Sequence, residues 1–295
     1  MGDHPVLAVV RTPPHAPPPG SSNLSRTHPP VRPEWYEPLV AETSRPSLAL
    51  FISEPGRAIV DYGAMLASAP VLLRAPRGDG HPVLVLPGLL GEDGSTATMR
   101  AYLRSLGYDV HGWRLGRNLG PTPAILSGMT ARLDELQRGL GRQVSLVGWS
   151  LGGIFARELA RSRPALVRQV ITLASPFGLN DPSDSRAHAT YRRLGVLHVS
   201  PGSVPGRERL SLPIPVPTTA VYSRLDGVVP WRACINTAGR RHENVAVYSS
   251  HLGMGHNASV LWIIADRLAQ PEGAWRPFRP PSLARHLFPV RTAAA

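Results

Sequence analysis

Short, unbroken apolar runs, separated by stretches of helical character, set the fold class of this chain. PVLVLPG (82–88) contains no polar side chain, whereas a strand with one wet face would show one at alternate positions. YDVHGW (108–113), QVSLVGW (143–149), VRQVITLAS (167–175), TTAVYS (218–223) and NVAVYSS (244–250) read as further strands. Helices are expected between them: over about 95–106, near 123–139 between Pro123 and Gly139, over 150–162 and over 258–270. Residues 47–69 also read as helical, with a break near Pro55-Gly56. Such alternation predicts an α/β domain whose mostly parallel sheet is covered by helices on both faces.

The domain is expected to span 34–274. Residues 1–33 are rich in proline, glycine and serine with almost nothing apolar, so they cannot offset their ordering entropy and read as a disordered tail. A second proline-rich tail, 275–295, is expected to lie along the surface. Within the domain, 176–215 lacks periodicity and is too long for an ordinary connection, which suits a short, loop-rich lid.

Composition removes several chemistries. All 32 basic residues are arginine, so a Schiff-base amine, a Walker A lysine and a Ser-Lys pair are excluded. The net charge of +12 invites a nucleic-acid reading, but the excess is spread along the domain with no basic run and no aromatic-interleaved stripe. A solvated arginine surface is expected, with no nucleic-acid partner. One cysteine, Cys234, excludes an intramolecular disulfide and reads as a buried structural thiol. The histidines show no metal-ligand spacing, and neither a metal nor a cofactor is called for. The most apolar long stretch, Leu48 to Leu73, is interrupted by Glu54, Arg57 and Asp61, so no membrane-inserted segment is expected. The first ten residues lack a signal-peptide pattern, and a cytoplasmic protein is the default expectation.

The sharpest motif is Gly148-Trp149-Ser150-Leu151-Gly152, a G-x-S-x-G that follows an expected strand and opens an expected helix. In that setting the serine occupies a strained turn beside a helix N-terminus, which favours a developing oxyanion. A serine needs a base, and the partners are sought in the order serine, acid, histidine on loops after later strands. Asp226 is the only acid between Glu208 and Glu243 and follows TTAVYS in the loop SRLDGVVP. Two histidines compete in HLGMGH: His251, directly after NVAVYSS, is favoured, and His256 is the alternative base. The oxyanion donors are expected to be the N–H groups of Leu151 and Leu89, with Leu90 the rival to Leu89. Leu90, Trp149, Phe177 and Leu179 are candidate substrate-lining side chains.

GHPVLVLPGLLGEDGST, GWRLGRNLGP, VSLVGWSLGG, VITLASPFG, YSRLDGVVPW and SSHLGMGHN, in that order, resemble the α/β-hydrolases, and most nearly their bacterial lipase- and esterase-like members. The resemblance covers roughly residues 46–280. It implies an α/β-hydrolase fold with Ser150 as nucleophile, Asp226 as acid and His251 as base. The sequence departs at Pro87-Gly88, where many lipases have His-Gly. The expected function is hydrolysis of a carboxylic, lipid-like or other small-molecule ester through an acyl-enzyme. Acyl transfer by the same triad and non-catalytic ligand capture are the alternatives.

Overall fold

The computed structural model describes residues 43–200, 206–237, 239–282, 285, 288 and 289. The tail 1–33 and the end of the chain beyond 289 therefore lie outside the described residues. In chain order the described part runs α1 (Leu48–Ile52), α2 (Glu54–Ala67), α3 (Ala69–Leu72), β1 (Pro82–Leu86), α4 (Ala97–Ser105), β2 (Asp109–Gly112) and α5 (Pro123–Leu140). It continues with β3 (Val144–Trp149), α6 (Leu151–Ser162), β4 (Val167–Leu173), α7 (His188–Arg193), α8 (Arg207–Ser211), β5 (Thr218–Tyr222), β6 (His242–Ala246) and α9 (Ala258–Leu268).

The six strands form one sheet in the order β2-β1-β3-β4-β5-β6, with every neighbouring pair parallel. β1 shows why its run is apolar throughout. Val83 and Val85 face a core with Met99 and Leu103 of α4 and Val260 and Ile264 of α9. Leu84 and Leu86 face a second core with Met129 and Leu133 of α5 and Phe155 and Leu159 of α6. Burying each such side chain is worth about 1.5–3 kcal/mol, and here both faces of the pleat collect it.

Several boundaries differ from the sequence reading. The break in the first helical region falls at Ser53, and Pro55 and Gly56 sit in the first turn of α2, where a missing N–H costs nothing. Gly139 is inside α5, and the helix is closed instead by Gly141 at φ 62°. β6 ends at Ala246, so His251 does not follow the strand at once. One further ladder-like bond runs from Val247 N–H to the Tyr222 carbonyl, 2.9 Å, before the chain turns away. The C-terminal stretch is not wholly superficial: the buried rings of Phe278 and Phe288 meet at 5.3 Å in the core beneath α9.

The expected lid region contains α7, α8 and single turns at Pro182–Asp184 and Leu194–Leu197. It is tied down at several places along its length. Arg186 N–H donates to the Val228 carbonyl at 2.8 Å, two residues beyond Asp226. Farther along, Val199 N–H donates to the Pro121 carbonyl at 3.0 Å, and the His198 ring bonds the Leu119 carbonyl at 2.8 Å. Among the described residues, no helix is long and apolar enough to cross a membrane.

Candidate active site

In a parallel sheet the loops at the carboxyl ends of the strands gather on one edge, and those after β1, β3, β5 and β6 build the site. Ser150 stands between β3 and α6 at φ 52° and ψ −120°. That backbone costs a non-glycine residue roughly 1–3 kcal/mol and persists only where the surroundings enforce it. Here Ser150 N–H is held by the Leu173 carbonyl at 2.8 Å, and the flanking chain leaves no latitude. A Cβ on Gly148 would overlap the backbone of Gly152 and Gly153, and one on Gly152 would overlap the carbonyls of Leu86 and Pro87.

His251 Nε2 lies 3.1 Å from Ser150 Oγ, and His251 Nδ1 lies 2.7 Å from Asp226 Oδ2. A carboxylate only accepts, so Nδ1 carries the proton and Nε2 presents its lone pair to the serine hydroxyl. Asp226 is fixed by its own loop: Oδ1 accepts the N–H groups of Val228 and Val229, both at 2.8 Å, which leaves Oδ2 for the imidazole. Both side chains are almost fully buried, Asp226 at 4% and His251 at 5% exposure. Burial acts to lower the His251 pKa, but the charge and hydrogen bond of Asp226, with the charge of Glu54, outweigh it and raise the value above 6.5. His256 is turned away, its Nε2 bonding the Ala58 carbonyl at 3.0 Å and its ring meeting the edge of Tyr62. Cys234 is buried beside this group, and desolvation with the Asp226 charge pushes its thiol pKa up, leaving it an inert thiol.

The loop after β1 passes close to the serine. A Cβ on Gly88 would stand 3.3 Å from Ser150 Cβ. Leu90 is strained at φ 62°, and its N–H is taken by the Asn118 carbonyl at 2.7 Å. Leu89 N–H has no acceptor among the described residues. Leu151 is the first residue of α6, so its N–H has no partner within the helix.

The candidate lining residues part company. Leu90 is exposed in the β1 loop and Leu179 half-buried at the start of the lid region. Trp149 instead braces the base loop, donating from Nε1 to the His251 carbonyl at 3.2 Å and packing against Gly255. Phe177, expected to line the substrate site, is 2% exposed and lies against the buried Arg157 guanidinium, 3.8 Å from the ring centroid. The reason is Arg157: desolvation pushes its pKa down to about 9, and the π-face of Phe177 with Asn236 Oδ1 and the Leu212 carbonyl offset that burial.

Three residues that shape the site escaped the sequence reading. Asn118 is fully buried and clasps the β1 loop: Nδ2 donates to the Pro87 carbonyl at 2.8 Å and its N–H to the Gly91 carbonyl at 2.8 Å. Glu54 and Asp61, both on α2, accept hydrogen bonds from the loop that carries His251. The motif NLGP that includes Asn118 offers a turn signal but nothing that points to β1.

No protein-family model and no curated protein matches the sequence. Solved structures do. A metagenome-derived lipolytic enzyme of the LipS and LipT pair is similar at TM-score 0.50 and 18% identity, over 65% of this chain and 93% of that one. Lipase B of Aspergillus fumigatus is similar at 0.47 and 16%, over 66% and 54% of the two chains. Carboxylesterase NP, the naproxen esterase of Bacillus subtilis, is similar at 0.43 and 12%, over 72% and 97%. With a parallel sheet in this order and a backbone likeness of this extent, the chain has the α/β-hydrolase fold.

Proposed function

We propose that this chain hydrolyses carboxylic esters through an acyl-enzyme on Ser150. The observation that carries the reading is the continuous relay from Ser150 Oγ through His251 to Asp226, at 3.1 and 2.7 Å, on a serine strained at the sheet edge. His251 Nε2 takes the hydroxyl proton as Oγ attacks the carbonyl carbon, and the imidazolium is stabilised by Asp226. The negative charge that develops on the carbonyl oxygen falls to the N–H groups of Leu89 and Leu151, which are free to point at it. Leu90 is not available for that task, because its N–H is already engaged. His251 then protonates the departing alcohol, activates water and returns a proton to Ser150 as the acid is released.

Leu90 and the half-buried Leu89, Leu151 and Leu179 are apolar, which favours an apolar acid portion such as an acyl chain. The LipS and LipT proteins, which share the fold, are lipolytic enzymes. The test is turnover of p-nitrophenyl esters of graded chain length by the whole chain. Release of p-nitrophenol with stoichiometric free acid is expected, with a preference that extends beyond acetate. Recovery of the acyl group on an added alcohol in place of free acid would move the reading to acyl transfer.

Asn118 gives a separate check on the oxyanion assignment. Removing its side chain leaves the Pro87 carbonyl and the Gly120 N–H without their buried partner. Asn118→Ala is expected to lower kcat about 100-fold, the scale of one lost oxyanion donor, with KM within a few-fold. It should also cost roughly 1–3 kcal/mol of stability in a denaturant titration. A variant with unchanged kcat would show that the β1 loop does not contribute the second donor.

A further inference from the structure

Helix α2 turns polar side chains inward over its first two turns, before the buried Met65, and leaves apolar ones outside. Ile59 and Val60 are 73% and 70% exposed, and Leu66 is exposed as well. Turned inward instead are Glu54, Arg57, Ala58 and Asp61, spaced as one helical stripe. Each of these four residues bonds the loop bearing Asp226 or the loop bearing His251. Glu54 Oε1 accepts Gly227 N–H at 2.8 Å and His251 N–H at 3.0 Å, and Oε2 accepts Leu252 N–H at 2.9 Å. Arg57 pairs with Glu54 at 2.8 Å and also donates to the Leu225 carbonyl at 2.7 Å. The Ala58 carbonyl receives His256, and Asp61 accepts Ser250 N–H at 3.0 Å, Ser250 Oγ at 2.7 Å and Asn257 Nδ2 at 2.8 Å.

We infer that Glu54 is a positioning residue for the relay, one buried carboxylate that holds the acid-bearing and base-bearing loops in register by accepting an N–H from each. The inference rests on the proposed ester hydrolysis and adds to it a role for the segment ahead of β1. Its physical basis is geometric. The two loops leave neighbouring strands, and beyond the strand ends they are joined directly by the Ser223 Oγ bond to Ser249 N–H and by the His251–Asp226 bond itself. Charge-assisted bonds from backbone N–H groups to a carboxylate that is 2% exposed are short, strong and geometrically demanding. Glu54 also adds negative potential behind the imidazole, which supports the imidazolium formed during attack. The charged groups facing His251 are then Asp226 from the β5 loop, and Glu54 with its partner Arg57 from α2. Asp61 stands behind Ser250, and His256 points to Ala58.

The experiment compares wild type, Glu54→Gln and Glu54→Asp on p-nitrophenyl butyrate across pH, beside fluorophosphonate labelling of Ser150. Glutamine keeps an acceptor but loses the charge. Glu54→Gln is expected to lower kcat and the labelling rate roughly tenfold while KM stays within about twofold. The acid limb of kcat/KM should move to lower pH, because a positive contribution to the His251 pKa is gone. Glu54→Asp keeps the charge and should leave the limb near the wild-type position. A limb that stays in place in Glu54→Gln, with activity falling only in step with the folded fraction, would overturn the inference. If Glu54→Gln does not fold, Arg57→Gln replaces it: freeing Glu54 of its cation should move the limb to higher pH, and an unmoved limb overturns the inference. Failure of the underlying hydrolase reading would show separately, as wild-type activity in Ser150→Ala.

Discussion

Ser150→Ala is expected to abolish ester turnover, lowering kcat by about six orders of magnitude, as removal of the nucleophile does in a well-studied triad. The size of the effect follows from the relay acting as one unit. Without Oγ, His251 has no proton to accept, and only the oxyanion donors and binding remain to accelerate attack by water. A fluorophosphonate should label the native chain once, on Ser150, and fail to label the variant; continued labelling would move the nucleophile elsewhere. Stability supplies an independent readout. Alanine keeps the strained φ of 52°, so Ser150→Ala should melt close to wild type. Ser150→Gly, equally inactive, should melt higher, because glycine tolerates that backbone and releases strain of about 1–3 kcal/mol.

The second large effect separates the two histidines. His251→Ala should cost nearly as much as loss of the serine, since it removes the base and leaves Asp226 Oδ2 as a buried, unpaired carboxylate oxygen. His256→Ala removes a bond to the Ala58 carbonyl and an edge contact with Tyr62, so it should retain most activity and lose roughly 1 kcal/mol of stability. The pH profile carries a sign. The His251 pKa is raised, and the base works only when neutral, so the acid limb of kcat/KM should lie above the ordinary histidine value of 6.5. By linkage the same shift stabilises the folded state fully below the unfolded pKa, and that contribution is lost as pH rises through the folded one. The neutral imidazole that the proposed reaction needs is therefore present where this stabilisation has been given up. An acid limb below 6.5 would contradict the pairing with Asp226 and the charge of Glu54, since burial alone acts in that direction.

The elements most legible in the sequence are those whose signal is local. β1 and β3 announce themselves by apolar runs, and the elbow by small residues at 148 and 152 between a strand and a helix. The proposed base, His251, is harder to read for a physical reason: β6 ends at Ala246, Val247 adds one more ladder-like bond, and Ser250 then bonds Asp61, so a run that looks like one strand is a strand and a tether. Phe177 was misplaced because nothing near it in sequence reveals Arg157, twenty residues earlier, as the buried cation it covers. Glu54, Arg57 and Asp61 are the most instructive case. Their charges broke the apolar stretch 48–73 and so spoke against a membrane span. That a charge lies inward and not toward water depends on amides contributed from residues 227 and 250–252, which no local pattern contains.

The crowding at the elbow also divides the neighbourhood of Ser150 into positions that selection can explore and positions that it cannot. Gly148 and Gly152 meet main chain, which no rotamer change can clear, so a saturation library there would return glycine alone among active clones. Leu90, Leu225 and Leu252, exposed on the loops after β1, β5 and β6, can be exchanged without disturbing that main chain. Divergence in substrate preference among descendants of this chain would accordingly accumulate at the rim, while the turn at Ser150 itself stayed frozen.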